Sequence, residues 1–286
     1  MPELPEVETI RSYLASRMTG CYVSDVLHLD PRMIKLGEHD ATGIREQIVG
    51  SRLSGVHRRG KYLLLLFEPH GLLVIHLGMS GRLTVNPGED LWRPHTHLVL
   101  RFGDTDLRLS DPRRFGRIGW VSNRAAIDRR LGVEPLGTRF TGAHLWGLIR
   151  QRAAPIKSLL LNQSVVAGLG NIYADEALFL SRIHPACPGK KLDQASSVRL
   201  VRNIRRVLRQ SIAHRGTSFS DYVDALGKPG RNQNHLNVYG RAGQACGRCR
   251  TPIATMVIQG RTSHFCPRCQ PLSWVQTDQP RVRNQG

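Results

Sequence analysis

Gly168-Leu169-Gly170-Asn171-Ile172-Tyr173-Ala174-Asp175-Glu176 closes a loop and opens a helix in a chain of 286 residues. Around it, residues 155–181 read as helix, loop, helix, with 163–170 as the loop and Asn171 at the head of the second helix. Backbone N–H groups at a helix start, approached through glycines, form a good phosphate site. A generic helix-turn-helix has the same outline.

Working outward towards the C-terminus, residues 142–215 keep a helical period. Asp193 reads as the N-cap of a helix with apolar positions Val198, Val201, Ile204, Val207, Leu208 and Ile212. Its other face carries Arg199, Arg202, Arg205, Arg206 and Arg209, which read as a solvated charged face, and Gly216 ends it. Residues 227–243 are rich in Gly, Asn, Gln and Arg and are expected to be mobile unless they bind something. The tail 275–286 is polar, lacks periodicity and reads as disordered.

Cys246-x-x-Cys249 and Cys266-x-x-Cys269 stand sixteen residues apart, within the spacing of a tetrahedral zinc site. Gly247-Arg248 and Pro267-Arg268 suit the two knuckle turns. Four thiolates leave no open position, so one structural zinc is expected, folding a hairpin of strands 253–259 and 262–265 with its tip at Gly260-Arg261. Arg261 is the candidate functional residue of that tip.

Towards the N-terminus the period changes to that of strands. Residues 21–29 alternate loosely; 62–67 and 72–75 are short apolar runs around a turn at Glu68-Pro69-His70-Gly71; 98–102 and 107–109 flank Gly103-Asp104; 119–121 is a further short strand. Such strands predict an antiparallel sandwich or barrel-like domain to about residue 123. Several loops there invite contact with a partner. Lys61 follows Arg58-Arg59-Gly60 at a strand entrance, Met79 lies in a glycine-flanked turn, and Asp111-Pro112-Arg113-Arg114-Phe115-Gly116 is a projecting turn. An apolar residue beside an Arg on a loop suits insertion into a DNA stack. His95 and His97 alternate on an extended segment without metal-ligand company, for phosphate contact or plain structure.

The chain opens Met1-Pro2-Glu3-Leu4-Pro5-Glu6-Val7-Glu8-Thr9. Pro5 and the acidic residues start a helix over 5–17. Removal of Met1 turns Pro2 into a free secondary amine. An α-amino group titrates at about 7.7–8.0, so a useful fraction is neutral near pH 7, and a neutral amine is a nucleophile. Its adduct with a sugar C1′ is an iminium, cationic without a proton and a good electron sink. Glu3 is placed to donate and accept protons.

Composition bounds these readings. There are 41 Lys+Arg against 22 Asp+Glu, a net charge of +19, which implies a polyanionic partner. No apolar run reaches about 18 residues, so no membrane span is expected, and the acidic start gives no sign of a signal peptide. Two Cys-x-x-Cys pairs with spare thiols at Cys21 and Cys187 are metal-ligand usage suited to a reducing cytoplasm. No internal repeat is visible.

On these residues the chain resembles the bacterial formamidopyrimidine-DNA glycosylases. The resemblance rests on the N-terminus, Gly60-Lys61-Tyr62-Leu63, the Met79 and Arg113 loops, the Asn171 segment, Gly227-Lys228-Pro229-Gly230, Val238-Tyr239-Gly240-Arg241 and the zinc hairpin, all in the family's order. It implies an α+β, two-domain protein: an N-terminal antiparallel β-sandwich with a leading helix, and a C-terminal helical domain with helix–two-turn–helix and zinc β-hairpin. The expected boundaries are 1–131 (catalytic sandwich), 132–141 (linker), 142–240 (helical DNA-binding domain), 241–272 (zinc finger) and 273–286 (disordered tail).

The resemblance implies a monomeric base-excision repair enzyme of the bacterial cytoplasm and nucleoid. It would bind damaged duplex DNA between its domains, with the lesion flipped out of the helix, and remove oxidised purines with β,δ-elimination strand cleavage. Pro2 would attack C1′ and Glu3 would protonate the sugar. Lys61 matches a lysine that contacts the lesion strand and aids β-elimination, and Arg261 one that clamps phosphate and aids δ-elimination. His95, Arg113, Lys157, Asn171 and Tyr239 match phosphate contacts, while Met79, Arg113 and Phe115 match the residues that fill the vacated space. Arg152 stands where many members carry Lys-Lys-Lys. The rival readings are an endonuclease VIII-like enzyme for oxidised pyrimidines, which usually has Gly in place of Leu4, and a non-catalytic zinc-hairpin DNA-binding protein.

Overall fold

The computed structural model describes residues 2–69 and 71–272. The readings made for Met1, His70 and the tail fall wholly or partly outside the described residues. Contacts divide the chain into two units.

The first unit comprises Met1–Gly137, Gln163–Gly170 and Val207–His235. It opens with α1 (Leu4–Met18), whose Val7, Ile10, Leu14 and Met18 recur at helical spacing and are buried. There follow β1 (Asp25–Leu29), β2 (Ile34–Gly37), α2 (Ala41–Ile48), β3 (Arg52–Arg59), β4 (Tyr62–Glu68) and β5 (Gly71–His76). Then come β6 (Arg82–Pro87), β7 (Thr96–Phe102), β8 (Thr105–Ser110), β9 (Arg117–Val121) and the short α3 (Ala125–Asp128). One sheet has the order β2-β9-β5-β4-β3 and the other β1-β7-β8-β6. The pairings are antiparallel, as expected, except that β2 runs parallel to β9.

The unbroken apolar run of β4 has a simple cause. Leu63, Leu65 and Phe67 enter the main core with Leu83, Leu98, Leu100, Leu107 and Leu109 of the other sheet and with α1. Leu64, on the opposite face, joins Leu72, Val74, Val121 and Ile127 in a second cluster. A strand covered on both faces reads as continuous hydrophobicity. Burying each such side chain contributes about 1.5–3 kcal/mol. Register matters for the site: Arg59 pairs with Tyr62 and Tyr62 with His76, so Gly60-Lys61 is a tight turn beside His76.

The second unit comprises Thr138–Asn162, Asn171–Arg206 and Leu236 onward. It contains α4 (Gly142–Ile149), α5 (Ile156–Leu161), α6 (Asn171–Ser181), the start of α7 (Gln194–Ala213), and the hairpin β10 (Ala254–Ile258) and β11 (Arg261–Phe265). The cap of α7 is as read: the Asp193 carboxylate accepts from Ser196 N–H at 2.7 Å. Two details differ. Val198, expected on the apolar face, is 53% exposed. Arg199 and Arg205 are partly withdrawn from solvent, donating to the carbonyls of Ser181 and Phe140. The hairpin acquires its own small core from Phe179, Val238, Cys246, Ile253 and Cys266.

Candidate active site and metal centre

In the first unit the N-terminal residues are held rigidly. Pro2 and Glu3 are buried. Glu3 is the N-cap of α1 in a reciprocal capping box. Its N–H donates to Glu6 Oε2 at 2.8 Å, and its carboxylate accepts the Glu6 N–H. The other Glu6 oxygen accepts Thr217 N–H at 2.8 Å, and Tyr222 donates its hydroxyl to Glu6 O at 3.4 Å and Arg215 O at 3.1 Å. Burial, and then the Glu6 charge, push the Tyr222 phenol up from its ordinary value. Sequence reasoning does not single out Glu6 or Tyr222 for this support. The signal was present for Glu6, an acid three residues after a capping residue; none pointed to Tyr222.

The Gly-x-Gly segment packs against the N-terminus. Gly168 has φ +86°, and its carbonyl accepts Leu4 N–H at 3.0 Å. A Cβ at Gly168 would lie 2.9 Å from Leu4, and one at Gly170 would lie 2.3 Å from Glu3 Cδ. The Gly168 N–H is taken by Gln163 Oε1 at 2.9 Å. These glycines admit the start of α1 against the loop.

The Lys61 turn is equally built in. Arg58 pairs with Glu8 at 2.8 Å and Glu134 at 2.9 Å, and Arg59 pairs with Asp128 at 2.6 Å. Gly60, at φ +57°, donates its N–H to Glu134 at 2.6 Å. Both arginines, candidates for DNA by position, are thus spent internally. Lys61 is 8% exposed, not the solvated lysine usual at a strand entrance. Burial, then the charges of Lys61 and Arg117, hold His76 down at about 4, and His76 Nδ1 accepts Gly78 N–H at 3.1 Å.

His95 and His97 separate cleanly. His97 is buried between Asp30 Oδ2 and Asp111 O, each at 3.0 Å, while His95 is exposed at φ +61°. Met79 is half-buried in its turn. Phe115 is 48% exposed, with the Arg113 guanidinium 4.8 Å from its ring centroid.

In the second unit Asn171 heads α6 and donates its amide to Thr262 O at 3.0 Å. Lys157 lies deeper than its charge alone suggests. It is 0% exposed, paired with Asp175 at 2.7 Å, and donates to Thr262 O at 2.9 Å. Asp175 also accepts His264 N–H at 2.8 Å. An ammonium so enclosed seats the hairpin. Glu176 accepts the N–H groups of Asn237, Val238 and Tyr239 at 2.8–3.0 Å, and the Tyr239 ring lies 4.9 Å from that of His264. Arg152 is exposed. Arg261 is exposed at the hairpin tip, beside Gln259 at φ +47° and Gly260 at φ +70°. With Ser158, Asn162 and Gln259 it lines an open cavity of about 430 Å³.

The four cysteines converge as the spacing requires, with all Sγ atoms within 4.8 Å of one another. Cys246 and Cys269 sulfurs are 3.9 Å apart and those of Cys249 and Cys266 3.4 Å apart. Zn–S bonds of about 2.3 Å in a tetrahedron put sulfurs about 3.8 Å apart, so the donor set fits zinc. The Arg248 and Cys269 N–H groups donate to the sulfurs of Cys246 and Cys266, each at 3.4 Å. Arg248 also donates to Phe179 O at 3.1 Å, tying its knuckle to α6. Such a closed site orders the hairpin, and no ligand position is left for water.

Known proteins align with this arrangement throughout. The profile of the formamidopyrimidine-DNA glycosylase N-terminal domain matches residues 1–118, that of its H2TH domain 131–223, and that of the zinc finger found in FPG and IleRS 243–272. The hairpin is therefore a zinc finger with one structural zinc. The formamidopyrimidine-DNA glycosylase of Herpetosiphon aurantiacus is 43% identical over 94% of this chain and 100% of its own length. That of Methylococcus capsulatus is 44% identical with the same coverage. The wild-type Lactococcus lactis Fpg (MutM), solved with N7-benzyl-Fapy-dG-containing DNA, superposes with a TM-score of 0.88 at 35% identity, over 94% of this chain and 100% of that one. MutM solved with carbocyclic 8-oxo-G-containing DNA gives 0.87 at 34%, with the same coverage. The chain belongs to the formamidopyrimidine-DNA glycosylase family.

Proposed function

We propose that the chain excises oxidised purines, 8-oxoguanine and formamidopyrimidines, from duplex DNA and then cuts the strand as an abasic-site lyase. The observation that carries the reading is the fixation of Pro2-Glu3. A capping box, the Gly168-Gly170 loop and Thr217 all converge on this start. Such rigidity is of little use to an ordinary chain terminus and is what a nucleophile needs.

In the reaction, Met1 is removed and the Pro2 amine attacks C1′. Glu3 gives a proton to the sugar ring oxygen, the ring opens and the damaged base leaves, with C1′ held as an iminium. The iminium draws electrons from the C2′–H bond; that proton departs and the 3′ phosphate leaves. A second elimination releases the 5′ phosphate. Lys61 assists the first elimination and Arg261 clamps phosphate for the second. Arg152, His95, Arg113, Asn171 and Tyr239 hold the backbone, and Met79, Arg113 and Phe115 fill the vacated stack. The zinc supplies folding free energy to the hairpin, and no diffusible cofactor is required.

The protein works as a monomer on nucleoid DNA in the bacterial cytoplasm. Among the described residues no helix is long and apolar enough to cross a membrane.

The test is borohydride trapping. Reduction during turnover of an 8-oxoguanine duplex is expected to fix the protein to DNA through residue 2, and protein retaining Met1 to be inert. A cross-link mapped to Lys61 refutes the nucleophile. Excision confined to duplexes with oxidised pyrimidines refutes the substrate class, and absence of any nicking at abasic sites refutes the enzyme.

A further inference from the structure

Asp111 is fully buried and bonded on every side. Its N–H donates to His95 O at 2.9 Å, and its carbonyl accepts Arg114 N–H at 3.1 Å. Oδ1 accepts the Ser80 hydroxyl at 2.5 Å and faces Arg113 N–H at 3.3 Å; Oδ2 accepts Gly116 N–H at 2.7 Å. The turns it joins touch through backbone as well. Gly78 stands at φ +63°, and a Cβ there would lie 2.4 Å from the carbonyl carbon of Phe115. Behind them, Lys35 Nζ donates to the carbonyls of Arg114 at 2.9 Å and Gly116 at 3.4 Å.

A buried carboxylate is costly unless every lone pair is used. Holding one turn needs a single acceptor, which Asn supplies as well as Asp. Here two oxygens serve two turns: one reaches across to Ser80, next to Met79, and the other organises the turn that carries Arg113 and Phe115. The main chain of the same residue fixes His95.

We infer that Asp111 is a positioning residue that couples the Met79 turn to the Arg113–Phe115 turn, so that filling the vacated stack and the approach of Arg113 to the base left unpaired are one event. The inference rests on the proposed glycosylase reading. Without the coupling, only the close backbone approach of Gly78 to Phe115 would join the turns, and Arg113 would meet the unpaired base less dependably when Met79 enters the stack.

Two variants separate this from a merely structural role. Ser80→Ala removes only the cross-turn donor. Asp111→Asn keeps the size of the side chain, but its NH2 must face a donor on one side. Each is measured in three ways: single-turnover excision of 8-oxoguanine opposite each of the four bases, nicking of an abasic site in single-stranded DNA, and fluorescence of 2-aminopurine placed opposite a tetrahydrofuran lesion. Single-stranded DNA has no opposite base and no stack to fill. Excision from duplex is expected to fall about tenfold, with a narrower spread of rates among opposite bases and a lost fluorescence change. Single-strand nicking should stay within about twofold of the parent.

An unchanged spread and fluorescence in both variants overturns the coupling. Equal loss on duplex and single strand, with a lowered melting temperature, also overturns it, as a fold defect. A parent protein inactive on every substrate would instead refute the glycosylase reading.

Discussion

Replacing Gly170 with Ala tests the central geometry with one methyl group. The added Cβ would sit 2.3 Å from Glu3 Cδ and 2.5 Å from Glu3 Oε1. Ordinary contact begins near 3.4 Å, so the carboxylate must retreat by about 1 Å. It is 2% exposed and tied into the capping box, so it can retreat only by disturbing the start of α1. Overpacking of this kind costs about 1–3 kcal/mol of stability, tolerable for a chain of this size. A misplacement of about 1 Å at a reacting group costs about 100-fold in rate. The assay is single-turnover excision of 8-oxoguanine alongside the dissociation constant for a tetrahydrofuran duplex. We expect excision to fall about 100-fold and binding to change less than about threefold. Gly147→Ala is the control, because a Cβ there meets nothing within 4 Å and a helical Gly→Ala change is mildly stabilising. Excision by Gly170→Ala within about threefold of the parent would refute the claim that Gly170 exists to admit Glu3.

Cys246→Ser or Cys269→Ser should release one zinc per chain and abolish DNA binding by unfolding the hairpin, with far-ultraviolet signal from the sandwich retained. Elemental analysis that finds no zinc in fully active parent protein counts against the site. Lys157→Met strands Asp175 in the interior and should cost about 3–5 kcal/mol in urea unfolding. A mutant of parental stability whose DNA affinity merely loses about 0.9 of salt slope would instead place Lys157 at a phosphate. His76 and His184 are both held near 4, burial being the leading cause in each. The unfolded chain therefore takes up protons first, and stability is full above about pH 6.5 and falls as pH drops from there towards 4, by up to about 3 kcal/mol per histidine. His76→Gln should flatten part of that fall in urea midpoints, and an unaltered slope contradicts the assignment.

What could be read from sequence follows the range of the interactions. The leading helix, the paired sheets, the α7 cap and the cysteine hairpin depend on neighbours within a few residues or on a fixed ligand spacing. Each left a local pattern. Residues whose roles depend on distant partners left none. Lys157 carries the charge of a phosphate ligand, and only Asp175 and Thr262 reveal it as an interior cation. Arg58 and Arg59 look like a basic patch until Glu8, Asp128 and Glu134 enclose them. Gly168 and Gly170 have the same spelling whether a phosphate or another chain segment needs the room. The family resemblance supplied candidate positions by motif. It could not distinguish residues that would touch DNA from those that hold the touching residues still.

That distinction has a backbone signature. The exposed tips expected at DNA sit at or beside left-handed residues: His95 at φ +61°, Arg114 at +51°, Gln259 at +47°, and Gly78 and Gly260 at +63° and +70°. A non-glycine residue there costs of order 1 kcal/mol or more, so these turns persist only where buried groups over-determine them. Asp111 does this for His95 and Arg114 through main-chain and carboxylate bonds. At the hairpin, the Lys157–Asp175 pair fixes β11 through Thr262 and His264. In both places a buried polar side chain tied to several backbone groups supports a strained turn whose own side chains are left for contact. Buried polar networks of this kind fix the direction of exposed residues more than they contribute net stability, since well-packed hydrophobic replacements of buried ion pairs are often neutral or stabilising.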